Sequence, residues 1–166
     1  MELLIWGIVI IGILLVIIPF LLGLLVSPHQ RATRVELIKA PTIDVWNALS
    51  DLSRQTEWRT DLKSVQFKDD DDGMRWVELT KKGEQLVTRK KKEVNQKEIL
   101  IQIEKGSRVR GTRQAILSSV PGGTRVTFTE TSDIRSPFSR IIAQVGSTLD
   151  KRLNSYIAQL KNRFKQ

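Results

Sequence analysis

Leu3 to Val26 is a run of 24 residues without a charged side chain. As a helix it is roughly 36 Å long at 1.5 Å per residue, enough to cross a hydrocarbon core of about 30 Å with some tilt. A secretory signal peptide needs a basic leading segment, a shorter apolar core and a small-x-small cleavage site. Here the only charge ahead of the run is Glu2, and "LLVSPHQ" is a poor cleavage site. The run therefore predicts an uncleaved membrane anchor over residues 1–28. Pro19 removes one helix hydrogen bond and predicts a kink, which membrane helices tolerate.

No Lys or Arg precedes the run, whereas Arg31, Arg34 and Lys39 follow it closely. The positive-inside rule then predicts a single-pass protein with its N-terminus outside and the rest cytoplasmic. The absence of cysteine fits a reducing compartment. All 27 Lys and Arg and 17 of the 18 acids lie beyond residue 28, so that part of the chain carries +10. For a tethered domain the nearest anionic surface is its own membrane. Headgroups attract juxtamembrane basic residues by about 1 kcal/mol each.

Beyond a short linker at 29–32, residues 33–166 read as one unit. Thr33 to Lys39 has strand character. "KAPTIDVWNALSD" then places Val45, Trp46 and Leu49 on one helical face behind Pro41. Asp51 or Ser53 is placed to cap a second short helix reaching Trp58 to Leu62. From Ser64 the period becomes two, with strands expected near 64–68, 74–80, 85–92, 97–104, 108–118 and 123–132. They are separated by turn-forming "DDDDG", "KKGE", "EVNQ", "KGS" and "VPGG". Short connections of this kind predict an antiparallel meander. From Ser136 onward, Phe138, Ile141, Ile142, Val145, Leu149, Leu153, Tyr156, Ile157, Leu160 and Phe164 form a continuous apolar stripe. That spacing predicts one helix of about 28 residues covering the sheet.

This order, with "VELIKAPTIDVWNALSDLSRQTEW" and "GGTRVTFTETSDI" ahead of the last helix, resembles the START-like (SRPBCC) superfamily. The nearest type is the polyketide cyclase/dehydrase and lipid-transport one. The resemblance spans roughly residues 33–164 and implies an α+β helix-grip fold (START/Bet v 1-like). In that fold a seven-stranded curved antiparallel sheet wraps a long C-terminal helix, here preceded by one transmembrane helix. It also implies a hydrophobic ligand held between sheet and helix, although members of the superfamily include enzymes and protein-binding modules.

Strand alternation points to candidate residues. Trp76, Ile101, Phe128, Val145 and Leu149 are expected to line the ligand cavity. Glu78, Arg89, Arg113 and Glu130 interrupt the same apolar rows and are expected at a polar end of that cavity, or else as a solvated ion-pair cluster at its mouth. Gly111 inside a strand and Gly146 inside the last helix leave room for a ligand or mark close packing.

Catalytic equipment is thin. His29 is the one histidine, there is no cysteine, and no metal-ligand cluster, phosphate loop or nucleophile elbow is present in the sequence. No catalytic residue, metal or cofactor is therefore assigned. The basic hairpin with Lys81, Lys82, Lys90, Lys91 and Lys92 is a candidate membrane-surface contact, touching anionic headgroups. Its charges alternate between two faces and lack interleaved aromatics, which argues against a nucleic-acid partner. The expected function is a membrane-anchored domain binding a hydrophobic small molecule or lipid. A cyclase/dehydratase acting on a polyketide-like substrate, or an assembly module without small ligand, are the alternatives.

Overall fold

A computed structural model describes residues 2–106, 109–146 and 148–166, with the side chains of 3, 4 and 144–148 not described. Helix α1, Glu2–Leu25, runs unbroken across Pro19 and has an apolar stretch, Ile5–Leu25, long enough to cross a membrane. Three residues later the domain begins. Strand β1 is His29–Ile38, so residues 29–32, read from sequence as a spacer, are already paired with the sheet. Helix α2, Thr42–Ser50, follows, then a 3-10 turn over Leu52–Glu57. Asp51 caps that turn by accepting from the Arg54 N–H at 3.3 Å. The second short helix thus ends before Trp58, earlier than its sequence indicated.

Six strands complete the sheet: β2 Leu62–Lys68, β3 Arg75–Thr80, β4 Gln85–Val94, β5 Glu98–Lys105, β6 Val109–Val120 and β7 Gly123–Ile134. All neighbours are antiparallel, and the order is β1-β7-β6-β5-β4-β3-β2. The sheet is open, with β1 and β2 at its edges, and β1 joins the meander by pairing with the last strand. Pro121 and Gly122 make the β6–β7 turn, with Gly122 at φ +87°, the left-handed value a glycine meets without strain.

The C-terminal segment is helical on both sides of residue 147, which lies outside the described residues. Helix α3 is Pro137–Gly146 and α4 is Thr148–Arg163. Only α4 lies in the grip, over β1 and β7, where Leu149, Leu153, Tyr156, Ile157 and Leu160 are buried. Their neighbours in the core include Trp46, Leu49, Trp58, Ile99, Ile101, Val126 and Phe128. Helix α3 touches the end of β7 and packs mainly on α1, with the rings of Phe20 and Phe138 at 5.9 Å. Gly23 sits so close to Pro137 that a Cβ there would overlap the Pro137 carbonyl.

Candidate functional site

Register decides which side chains enter the grip. Ala32, Glu130, Arg113, Ile101 and Lys90 are successive partners across β1, β7, β6, β5 and β4 and share the concave face. Ser132, Gly111, Ile103, Thr88, Trp76 and Phe67 form the next row. Glu130 is 1% exposed and Arg113 9% exposed, between the apolar Phe128 on one side and Ser132 on the other. A buried charge is tolerated only when it is paired and hydrogen-bonded.

Both requirements are met by one network centred on Tyr156. Arg113 donates from Nε and Nη2 to Glu130 Oε2 at 2.9 and 2.8 Å. Arg152 on α4 takes the other carboxylate oxygen, Nη2 lying 2.6 Å from Oε1. On the far side, Arg59 donates through Nη1 to Glu78 at 2.8 Å and to Gln55 Oε1 at 3.0 Å, and through Nη2 to Asp61 at 2.8 Å. The two guanidiniums converge on the Tyr156 ring, Arg113 at 3.9 Å from its centroid and Arg59 at 5.6 Å. Trp58 and Phe128 meet the same ring edge-on, at 5.2 and 6.2 Å. A cation over an aromatic face in a desolvated site is worth up to about 2 kcal/mol. Among the described residues no buried side-chain polar atom lacks a partner.

The electrostatics follow from this packing. Burial pushes the Glu130 carboxyl up, but Arg113 and Arg152 outweigh it and hold the group below the usual carboxylate range. Burial works against the charge on Arg113 as well, and Glu130 reverses the effect, leaving it above its ordinary value. Arg59 behaves alike, with Glu78 and Asp61 overcoming its burial. Burial raises the Tyr156 phenol in spite of the two arginines. The grip therefore holds an ionised Glu130, fixed cations and a phenol that keeps its proton.

The sequence-derived candidates are placed as follows. Phe128, Ile101 and Leu149 are buried on the grip interior. Trp76 is half-buried at the outer end of the concave face, packed on Phe67 at 5.3 Å and donating from Nε1 to Ser53 at 2.9 Å. The side chain of Val145 lies outside the described residues. Glu78, Arg113 and Glu130 join the Tyr156 network, whereas Arg89 does not. Arg89 lies on the convex face beside Gln102 and pairs with Glu104 at 3.0 Å. Leu86, Thr88 and Lys90 are the inward residues of β4, so the expected parity of that strand was off by one.

Arg59, Arg152 and Gln55 went unnoticed in the sequence. Arg59 follows the 3-10 turn, where no periodicity reports orientation. Arg152 lies on the polar flank of α4 and reaches inward from there. The tandem of Trp58 and Arg59 just ahead of a strand was the one available signal.

The lysines do not form one patch. Lys81 and Lys82 are exposed at the β3–β4 turn, beside the Lys105–Glu84 pair at 2.6 Å. Lys90 turns onto the concave face, 5.6 Å from the Trp76 ring centroid. Lys92 pairs with Glu98 at 2.5 Å and Lys91 is exposed at a bulge between Lys90 and Lys92. This second group sits roughly 25 Å along β4 from the turn.

Gly111 packs against the neighbouring strand, because a Cβ there would overlap the Thr131 carbonyl. It does not hold space open for a ligand. The described surface includes two depressions. One of about 190 Å³ is bounded by Asn47, Asp51, Arg54, Trp58 and Arg163. The other, of about 280 Å³, lies between His29, Glu104, Val109, Arg110 and Arg135. Neither is lined by the expected cavity residues.

Residues 29–165 match the model of a family described as polyketide cyclase / dehydrase and lipid transport. No curated protein matches the chain. Solved structures share the fold at low identity. A di-domain ARO/CYC, BexL, from the BE-7585A biosynthetic pathway has a TM-score of 0.64 at 14% identity, covering 83% of this chain and 50% of its own. A protein from Mesorhizobium loti gives 0.63 at 14% identity, covering 80% of this chain and 95% of its own. A conserved protein from Geobacillus kaustophilus gives 0.63 at 12% identity, covering 81% and 94%. The helix-grip architecture and the match over most of the chain agree: this protein belongs to the polyketide cyclase/dehydrase and lipid-transport family of the START-like superfamily.

Proposed function

We propose that the protein is a membrane-anchored START-like domain that takes a hydrophobic molecule or lipid into the α1-side end of its grip. One observation carries this reading. Arg152, one turn into the described part of α4, pairs with Glu130 at 2.6 Å, while α3 packs on α1. The concave face beyond that pair carries half-buried Ile103 and Val109, and the main sheet contacts of α4 are with β1 and β7. An apolar surface with a polar floor is the usual composition of a small-molecule site. Burying an apolar ligand there gains about 25 cal/mol per Å² removed from water. Arg113, Glu130 and Arg152 would fix a headgroup or carbonyl at the floor. The proposed boundaries are an anchor over residues 1–28 and a domain beyond it, with the N-terminus outside and the domain cytoplasmic.

The test is extraction and mass spectrometry of the full chain purified in native membrane discs, compared with Ile103→Glu. A hydrophobic species enriched over bulk lipid and lost in the variant supports the reading. Bulk lipid alone in both samples overturns it. Proteolysis of the domain from outside intact cells would overturn the orientation.

A cyclase-type reading is favoured by one feature, the protonated Tyr156 between two guanidiniums. It predicts turnover of a polyketide-like substrate that Tyr156→Phe abolishes while the fold is kept.

A further inference from the structure

Helix α3 has a free apolar face. Ile142 is 72% exposed and Phe138 41% exposed, both on the same short amphipathic segment. The polar side is turned the other way. Arg140 donates from Nε to the Ile134 carbonyl at 2.8 Å and from Nη2 to that of Arg135 at 3.2 Å, closing the end of β7. Exposed apolar side chains of this kind in an aqueous loop would cost solubility without return.

Their depth follows from α1. Phe138 packs on Phe20 with the rings tilted by 50°, and Pro137 rests on Gly23. Phe20 lies five residues before the end of the apolar stretch at Leu25, roughly 8 Å at 1.5 Å per residue. An amphipathic helix lying in the membrane interface buries its apolar face by about 5–10 Å. The two depths coincide. Arg31 and Arg135 are exposed near this junction, where basic side chains meet headgroup phosphates.

We infer that α3 is an interfacial helix, inserted through Phe138 and Ile142 into the leaflet from which α1 emerges. It forms a second membrane contact beside the anchor, and the bilayer is the occupant of its apolar face. The inference rests on α1 spanning the membrane, as proposed above.

The chain has no cysteine, so single labels can be placed without background. Leu15→Cys, Ile142→Cys and Lys91→Cys variants of the full chain, spin-labelled in phosphatidylcholine–phosphatidylglycerol nanodiscs, report collision with oxygen and with a water-soluble nickel chelate. The expected order of oxygen access is Leu15 above Ile142 above Lys91, with nickel access reversed. A label at Ile142 as water-accessible as that at Lys91, with Leu15 in lipid, overturns the inference and leaves the anchor standing. A water-accessible label at Leu15 overturns the anchor, and the inference with it.

Discussion

Arg113 binds Glu130 through two hydrogen bonds and at the same time lies 3.9 Å above the Tyr156 ring. One side chain thus ties β6 to β7 and to α4. Removing a single partner of a buried pair strands the other charge, at about 3–5 kcal/mol. Arg113→Met and Glu130→Leu should each lose about that much in guanidinium unfolding of the full chain in detergent. The double variant should lose clearly less than the sum, because Arg152 is 44% exposed and can turn to solvent. Additive losses would mean that the pair is not coupled.

The same pair predicts acid sensitivity. Glu130 ionises more readily in the folded protein than its ordinary value of 4.5. The unfolded chain therefore binds the proton first, and stability rises with pH through this range. The contribution is complete above about 4.5 and is lost as pH falls through the lower folded value. Melting temperature against pH should fall less steeply below 4.5 in Glu130→Gln than in the parent. Parallel curves would refute the assignment.

Gly111→Ala tests the reading of that glycine as a close-packing site. The added methyl meets the Thr131 backbone, which has no freedom to retreat. A loss of about 1–3 kcal/mol is expected from overpacking. An unchanged midpoint in chemical denaturation would show that the strand has slack there.

Gly23→Val should separate α3 from α1, since its side chain would occupy the place of the Pro137 carbonyl. Hydrogen exchange over Pro137–Gly146 should then rise while exchange over β5 and β6 stays as it was. Equal protection in both proteins would mean that α3 is held by something other than α1.

Much of the fold was legible because its signals are local. Turn residues bracketed each strand, and the uncharged run Leu3–Val26 announced α1. The two surfaces met by the C-terminal helical segment were not legible. The apolar stripe from Phe138 to Phe164 runs without a gap, and periodicity reports that a face is apolar, not which surface it meets. Phe138 faces α1, whereas Leu153 faces the sheet. Arg89 failed for a related reason: Leu86 and Val87 are both apolar, so the parity of β4 was ambiguous. Glu78, Arg113 and Glu130 stood out as charges in apolar rows. Their partners Arg59 and Arg152 come from segments where alternation carries no orientation.

Only Val26–Pro28 separate α1 from β1, and the Ile134 N–H donates to the Pro28 carbonyl at 2.9 Å, stitching even that joint to the sheet. A domain so joined has no tether to swing on. With α1 in a bilayer, its grip would stay at one height above one leaflet, turning and drifting with the anchor but never reaching outward. A partner carried in that same membrane would then approach it sideways, and the rate of that encounter would depend on two-dimensional diffusion.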